Sequence, residues 1–216
     1  MNVFWVNLFL SITIAVPALL IVIRWRSISS VYYPFAFFLW TGTLNELLSI
    51  IIVLNGYHNT VTANCYVLIA YTLLLFQFFY WTNWKRRTLV IMIAVGILVW
   101  ISDNLLWHAL KDNNSFFRMY YSIACAVLAI QVMSRQVMEV RTGLHRNAVF
   151  MICLAFTISY VYKAYYESFN LFHIEINANF YKIIWSMLSM VNVVAYSIYT
   201  YAILCIQKKS RFIMPF

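Results

Sequence analysis

The sequence predicts an all-α membrane protein, a bundle of seven transmembrane helices with the N-terminus outside and the C-terminus cytoplasmic. Three observations predict it. Of 216 residues, 64% are hydrophobic and 10% charged, with a mean hydropathy of +0.80; a soluble domain carries about a quarter charged residues. Apolar runs recur seven times, each near the roughly 20 residues that cross a hydrocarbon core of about 30 Å. Basic residues gather at alternate junctions between those runs, the pattern that sets orientation in a membrane.

The first run, residues 3–23, lacks a basic lead and a small-residue cleavage site, so it reads as a span and not as a signal peptide. The others are residues 32–54, 64–84, 88–108, 116–134, 147–169 and 179–206. Their connections are short and not rich in Ser, Gly or Pro, which predicts a single domain over residues 1–216. Arg24 and Arg26 follow the first run, and Lys85, Arg86 and Arg87 join the third to the fourth. Arg135, Arg141 and Arg146 join the fifth to the sixth, and Lys208, Lys209 and Arg211 follow the seventh. The opposite loops hold a single basic residue, Lys111. These clusters are therefore assigned to the cytoplasm. The formal charge of +9 is spread over topology signals, with no basic patch on a folded domain, so nucleic acid is not an expected partner. Cys65, Cys125, Cys153 and Cys205 show no paired spacing and are expected as free thiols filling helix interfaces.

Six ionisable residues fall within the spans: Glu46, Asp103, Arg118, Lys163, Glu167 and Lys182. All lie toward the outer half, with Glu46 and Asp103 roughly 21–23 Å and Lys163 about 24 Å from the cytoplasmic starts of their helices. Arg118, Glu167 and Lys182 sit near helix ends, where each alone is expected to snorkel toward the headgroups. Glu46, Asp103 and Lys163 lie deeper. A charge at that depth costs at least ~2.5 kcal/mol, so each needs a partner or a cavity. Polar stripes at helical spacing run through Gly42, Asn45, Glu46 and Ser49, through Ser159, Lys163, Glu167 and Asn170, and through Lys182, Ser186, Ser189, Asn192 and Tyr196. Trp100, Trp107, Tyr120, Tyr121, Tyr162, Tyr165, Tyr166 and Trp185 gather at the same level. The expected ligand-binding set is Asn45, Glu46, Asp103, Asn104, Arg118, Lys163, Glu167 and Lys182. Lys163 is the first choice of partner for Glu46, with Asp103 as a rival for that lysine. A closed pair would make removal of one partner cost about 3–5 kcal/mol.

No nucleophile–base pair or metal motif emerges. His58, His108 and His173 sit one to each outer loop without HxxxH or HExxH spacing, so no metal, no cofactor and no catalytic residue is expected. Helix 3 opens with ANCY and helix 7 with ANFY, a match that would fit a three-plus-one-plus-three repeat. That plan resembles the SWEET sugar transporters, although the proline hinges of that family are not matched. Asn192-Val193-Val194-Ala195-Tyr196 resembles the NPxxY motif of G-protein-coupled receptors, without its proline and with TNW where that family has DRY. NELL in helix 2, the NGYHN loop and ANCY resemble small seven-helix integral membrane proteins of bacteria, a likeness that implies the fold and no activity. The expected function is binding of a small ligand or lipid from the outer side, as a sensor or receptor-like subunit of the cytoplasmic membrane. Because the cytoplasmic loops are short, signalling would need a cytoplasmic or membrane partner. The alternative is a small-solute transporter of SWEET-like plan.

Overall fold

The computed structural model describes residue 7 and residues 9–82, 84–107, 113–139, 143–171 and 178–206. These residues are helical with short turns, and no strand occurs among them. Helix α1 is Phe9–Ile23, with a tighter 3₁₀ turn at Ile12–Ile14. It is followed by α2 (Tyr33–Leu54), α3 (Thr60–Trp81) and α4 (Arg86–Ser102), which continues into a π-helical turn at Asp103–Trp107. Then come α5 (Ser115–Glu139), α6 (Ala148–Leu171) and α7 (Ala178–Cys205). Helices α2 to α7 are six elements long and apolar enough to cross a membrane, and α1 is a shorter apolar helix over its described residues. The chain is thus a multi-pass membrane protein by the length and composition of its helices. Residues 3–6 of the expected first span lie outside the described residues, as do Arg141, Lys208, Lys209 and Arg211.

Lipid offers backbone groups no hydrogen bonds, so helix ends near the membrane must be satisfied by the protein. Five ends show how. Pro34 in the first turn of α2 needs no partner for its nitrogen, and the next free donor, Phe35 N–H, reaches the Gln77 amide oxygen at 2.8 Å. The Gln77 amide nitrogen donates to Val31 O at 2.9 Å, so one wholly buried side chain ties α3 to the entry of α2. At the other end of α2 the chain reverses through Gly56 at φ 78°, with Gly56 N–H donating to Val53 O and Tyr57 N–H to Ile52 O. This is a Schellman motif, and the left-handed residue it needs explains the NG of NGYHN. Asn147 caps α6 by accepting from Phe150 N–H at 3.2 Å. The Arg24 guanidinium donates to Ile203 O and, at 3.1 Å, to Ile206 O, closing the last turn of α7. Asp103 accepts from Phe117 N–H in the first turn of α5 at 2.7 Å.

Helix α6 is central, packed along its length between α5 and α7, and Phe156 stands at the middle of the core. Rings of Phe35, Phe38, Phe78, Tyr160 and Tyr199 surround it at centroid distances of 5.5–6.1 Å, mostly edge to face. Helix α4 is peripheral. It buries Leu89 and Gly96 and turns Val90, Ile91 and Leu98 outward, as suits a lipid-facing surface. Its contact with α3 depends on Gly96, where a Cβ would lie 2.1 Å from the Tyr71 ring. Tyr71 is fully buried and donates its hydroxyl to Met92 O at 2.8 Å, so the ring is pinned against that glycine. Cys125 and Cys153 are buried, as free thiols at interfaces should be, but Cys65 is exposed on α3. That corrects the expectation for Cys65: an apolar thiol suits a lipid-facing position as well as a buried one.

Candidate functional site

A cavity of about 390 Å³ occupies the end of the bundle where α2 and α6 finish and α3, α5 and α7 begin. Helical spacing places its walls. Helix α2 contributes Asn45, Glu46 and Ser49, and α3 contributes Ala63, Tyr66 and Val67, with Asn59 just before its first turn. Helix α5 brings Arg118, Tyr121 and Ser122, with Asn113 from the loop ahead of it. Lys163, Tyr166 and Glu167 come from α6, and Trp185, Leu188, Asn192 and Tyr196 from α7. Ile14 of α1 completes the lining. Since Asn59 and Asn113 lie beyond the helices, the cavity extends to the loop end of the bundle.

Two pairs of opposite charge line it. Arg118 and Glu167 approach at 3.9 Å across α5 and α6. Both are braced. The Arg118 Nε donates to Asn114 Oδ1 at 2.8 Å and its Nη2 to Asn64 Oδ1 at 3.2 Å, while Asn170 donates to the Glu167 carboxylate at 3.1 Å. Glu167 is 5% exposed, so this end-of-helix carboxylate turns inward rather than snorkelling, and Arg118 turns with it. The reason is partnership: amides from α3, from α6 and from Asn114 just ahead of α5 replace the water each charge would otherwise seek.

Glu46 and Lys163 form the second pair. They are close enough for each to act on the other electrostatically, but among the described residues they do not close to a contact ion pair. Glu46 takes a hydrogen bond from the Ser11 side chain of α1. The Lys163 ammonium lies 5.0 Å from the centroid of the Tyr160 ring, in the range for a cation–π contact. Tyr160 in turn shares a short hydrogen bond between hydroxyls with Tyr121. Beneath these two tyrosines lie Phe156 and its ring of aromatic neighbours, so the cavity floor is the tightly packed centre of the bundle.

The structure thus brings together Asn45, Glu46, Arg118, Lys163 and Glu167 of the expected set. It places Asp103, Asn104 and Lys182 elsewhere. Asp103 is fully buried and serves the first turn of α5, where a carboxylate complements the helix dipole. Its neighbour Asn104, also buried, donates to Trp100 O within the π-helical turn. Lys182 is exposed on the first turn of α7. Of the aromatic residues expected at this level, Tyr121, Tyr166 and Trp185 reach the cavity. Tyr120 instead meets the Tyr71 hydroxyl, Tyr162 donates to Ile184 O, and Tyr165 is exposed. The Trp107 side chain, His108 and His173 lie outside the described residues, and His58 is exposed.

Sequence reasoning missed Asn59 just ahead of α3, Ala63 and Tyr66 on α3, and Ser122 on α5. A signal existed for each. Asn59, Ala63, Tyr66 and Val67 recur at helical spacing, as do Arg118, Tyr121 and Ser122, but neither stripe carries enough polar residues to stand out. ANCY, noticed as a repeat, is in fact site sequence: Ala63 and Tyr66 line the cavity and Asn64 holds Arg118. Comparison with protein-family models, curated proteins and solved structures returns no match for the chain.

Proposed function

We propose that the chain is a receptor-like membrane protein that binds a small ligand from the outer side of the cytoplasmic membrane, in the cavity between Glu46, Lys163, Arg118 and Glu167. In this reading α1 completes a seventh span, the N-terminus is outside and the C-terminal tail is cytoplasmic. The observation that carries it is a polar cavity at one end of the bundle with a floor of interlocked aromatic rings. Four charges, six amide and hydroxyl side chains and an aromatic wall converge there, the mix of convergent polar groups and apolar surface that marks ligand sites. A volume of about 390 Å³ suits a small solute or a headgroup rather than a whole lipid. The packed floor favours binding over passage, because alternating access needs helices that break or rock, and α3 to α7 contain no proline.

The test has two parts. Native mass spectrometry of protein released from bilayer discs is expected to show a bound small molecule that Glu46→Gln and Lys163→Met release. Proteoliposomes are expected to show no counterflow of that molecule. Counterflow would replace the receptor-like reading with the transporter. An empty spectrum, together with no stabilisation by any member of a chemically varied solute panel, would remove the binding reading altogether.

A further inference from the structure

We propose that the ligand is a small zwitterion, its ammonium held at Glu46 and its carboxylate or phosphate at Lys163; this rests on the cavity being a ligand site. The inference starts from charge balance. Among the described residues two carboxylates and two cations line the cavity, so their formal charges cancel. One of the two pairs is already satisfied. Arg118 and Glu167 lie at 3.9 Å, and both are held by asparagine amides. The other pair differs in kind. Glu46 and Lys163 share the cavity without closing to contact, and Lys163 rests on an aromatic ring instead of a carboxylate.

A ligand with one charge would satisfy one member of that pair while displacing water from around the other, which would then lack both water and a counter-charge. A ligand carrying both charges compensates both and keeps the cavity neutral. The surroundings of Glu46 suit an ammonium group. Tyr66 and Tyr196 line the same cavity with their hydroxyls within the field of the Glu46 carboxylate, so an ammonium there would meet hydroxyl acceptors as well as an acid. A point charge such as Lys163 accepts carboxylate or phosphate alike. Two sources share this chemistry: a free amino-acid-like solute, and the ammonium–phosphate headgroup of a membrane lipid.

The experiment uses the full chain in discs of phosphatidylglycerol, which carries no ammonium. Calorimetric titration and the thermal midpoint are measured with two zwitterions, 4-aminobutyrate and the phosphodiester glycerophosphoethanolamine, and with the single-charge compounds butyrate and propylammonium. At least one zwitterion is expected to bind saturably, with the single-charge compounds weaker by about 30-fold or more. Glu46→Gln and Lys163→Met should weaken the zwitterion by a similar factor, and Lys163→Arg should restore much of the loss. Should those variants fold poorly, the comparison of probes on the unaltered protein decides the matter alone. Adding phosphatidylethanolamine to the discs separates the sources: competition with the soluble probe assigns the lipid headgroup, and its absence assigns a free solute. Equal binding of butyrate or propylammonium would overturn the zwitterion, as would no saturable response to either zwitterion. If native mass spectrometry then still finds a bound molecule of another class, the binding reading stands while this inference falls.

Discussion

Glu46 and Glu167 are both carboxylates in apolar helices, yet their surroundings predict opposite responses to the same substitution. Glu167 is almost wholly buried and carries the Arg118 guanidinium and the Asn170 amide. Glu167→Gln would leave Arg118 short of its counter-charge and put a neutral amide in place of the buried carboxylate that Asn170 braces, at an expected cost of about 1–3 kcal/mol. Glu46 faces an open cavity and does not touch Lys163, so Glu46→Gln and Lys163→Met are each expected to cost about 1 kcal/mol or less in stability. This replaces the larger loss that a closed Glu46–Lys163 pair would have implied. Equilibrium unfolding in mixed micelles measures both. A loss of several kcal/mol for Glu46→Gln would mean a structural pair and would count against a ligand site. The cavity charges were legible because a charge inside an apolar run is conspicuous and its stripe at helical spacing gives its face. Asp103 was equally conspicuous and has another task. Sequence spacing shows that a buried carboxylate needs a partner, but not that the partner is the backbone of the next helix. Lys182 marks the same limit, since a lysine in the first turn can point to the cavity or out of it.

Helix interiors were legible from length and hydropathy, whereas helix ends were not, because ends are settled by tertiary contacts. Helix α3 begins at Thr60 and α5 runs to Glu139, both beyond the expected apolar segments. Polar residues can continue a helix once it clears the hydrocarbon, and hydropathy does not register them. Gln77 shows the same effect inside a helix. Within α3 it reads as an isolated amide, but it supplies both the acceptor for Phe35 N–H and the donor for Val31 O. Gln77→Leu keeps the volume and orphans two backbone groups, so a loss of about 1–3 kcal/mol for each is expected. Hydrogen exchange should localise the new protection loss to the start of α2. Exchange that rises evenly along the chain would deny the capping role. Gly96 tests the α3–α4 contact in the same manner. Gly96→Ala improves helix propensity by about 1 kcal/mol, but its Cβ would meet a pinned tyrosine ring, and overpacking of this kind costs about 1–3 kcal/mol. A net loss of stability is expected, and recovery in Gly96→Ala combined with Tyr71→Leu would show that the ring is the obstacle. An alanine that stabilises the protein on its own would mean that α4 moves away freely.

At the scale of the whole molecule, the placement of charge and the placement of the cavity agree. Successive helices reverse direction, so Arg24, Arg26, Lys85, Arg86, Arg87, Arg135 and Arg146 share one end of the bundle, and the cavity lies toward the other. Retention of basic residues on the cytoplasmic side would then point the cavity outward, where a solute or an outer-leaflet headgroup could reach it. Arg24 complicates a pure topology reading, because its guanidinium also closes α7. Its charge therefore does double duty, and removing it alone would confuse orientation with packing. Sidedness is better tested at exposed positions with no such task. Tyr57, in the turn after α2, is 72% exposed at the cavity end, and Lys85 is exposed ahead of α4 at the opposite end. In a background carrying Cys65→Ser to remove the exposed native thiol, a membrane-impermeant maleimide applied to intact cells should label Tyr57→Cys. It should leave Lys85→Cys unlabelled until the membrane is opened. The reverse pattern would turn the cavity toward the cytoplasm and end the receptor-like reading from outside, while labelling of both positions would mean two orientations and no positive-inside control.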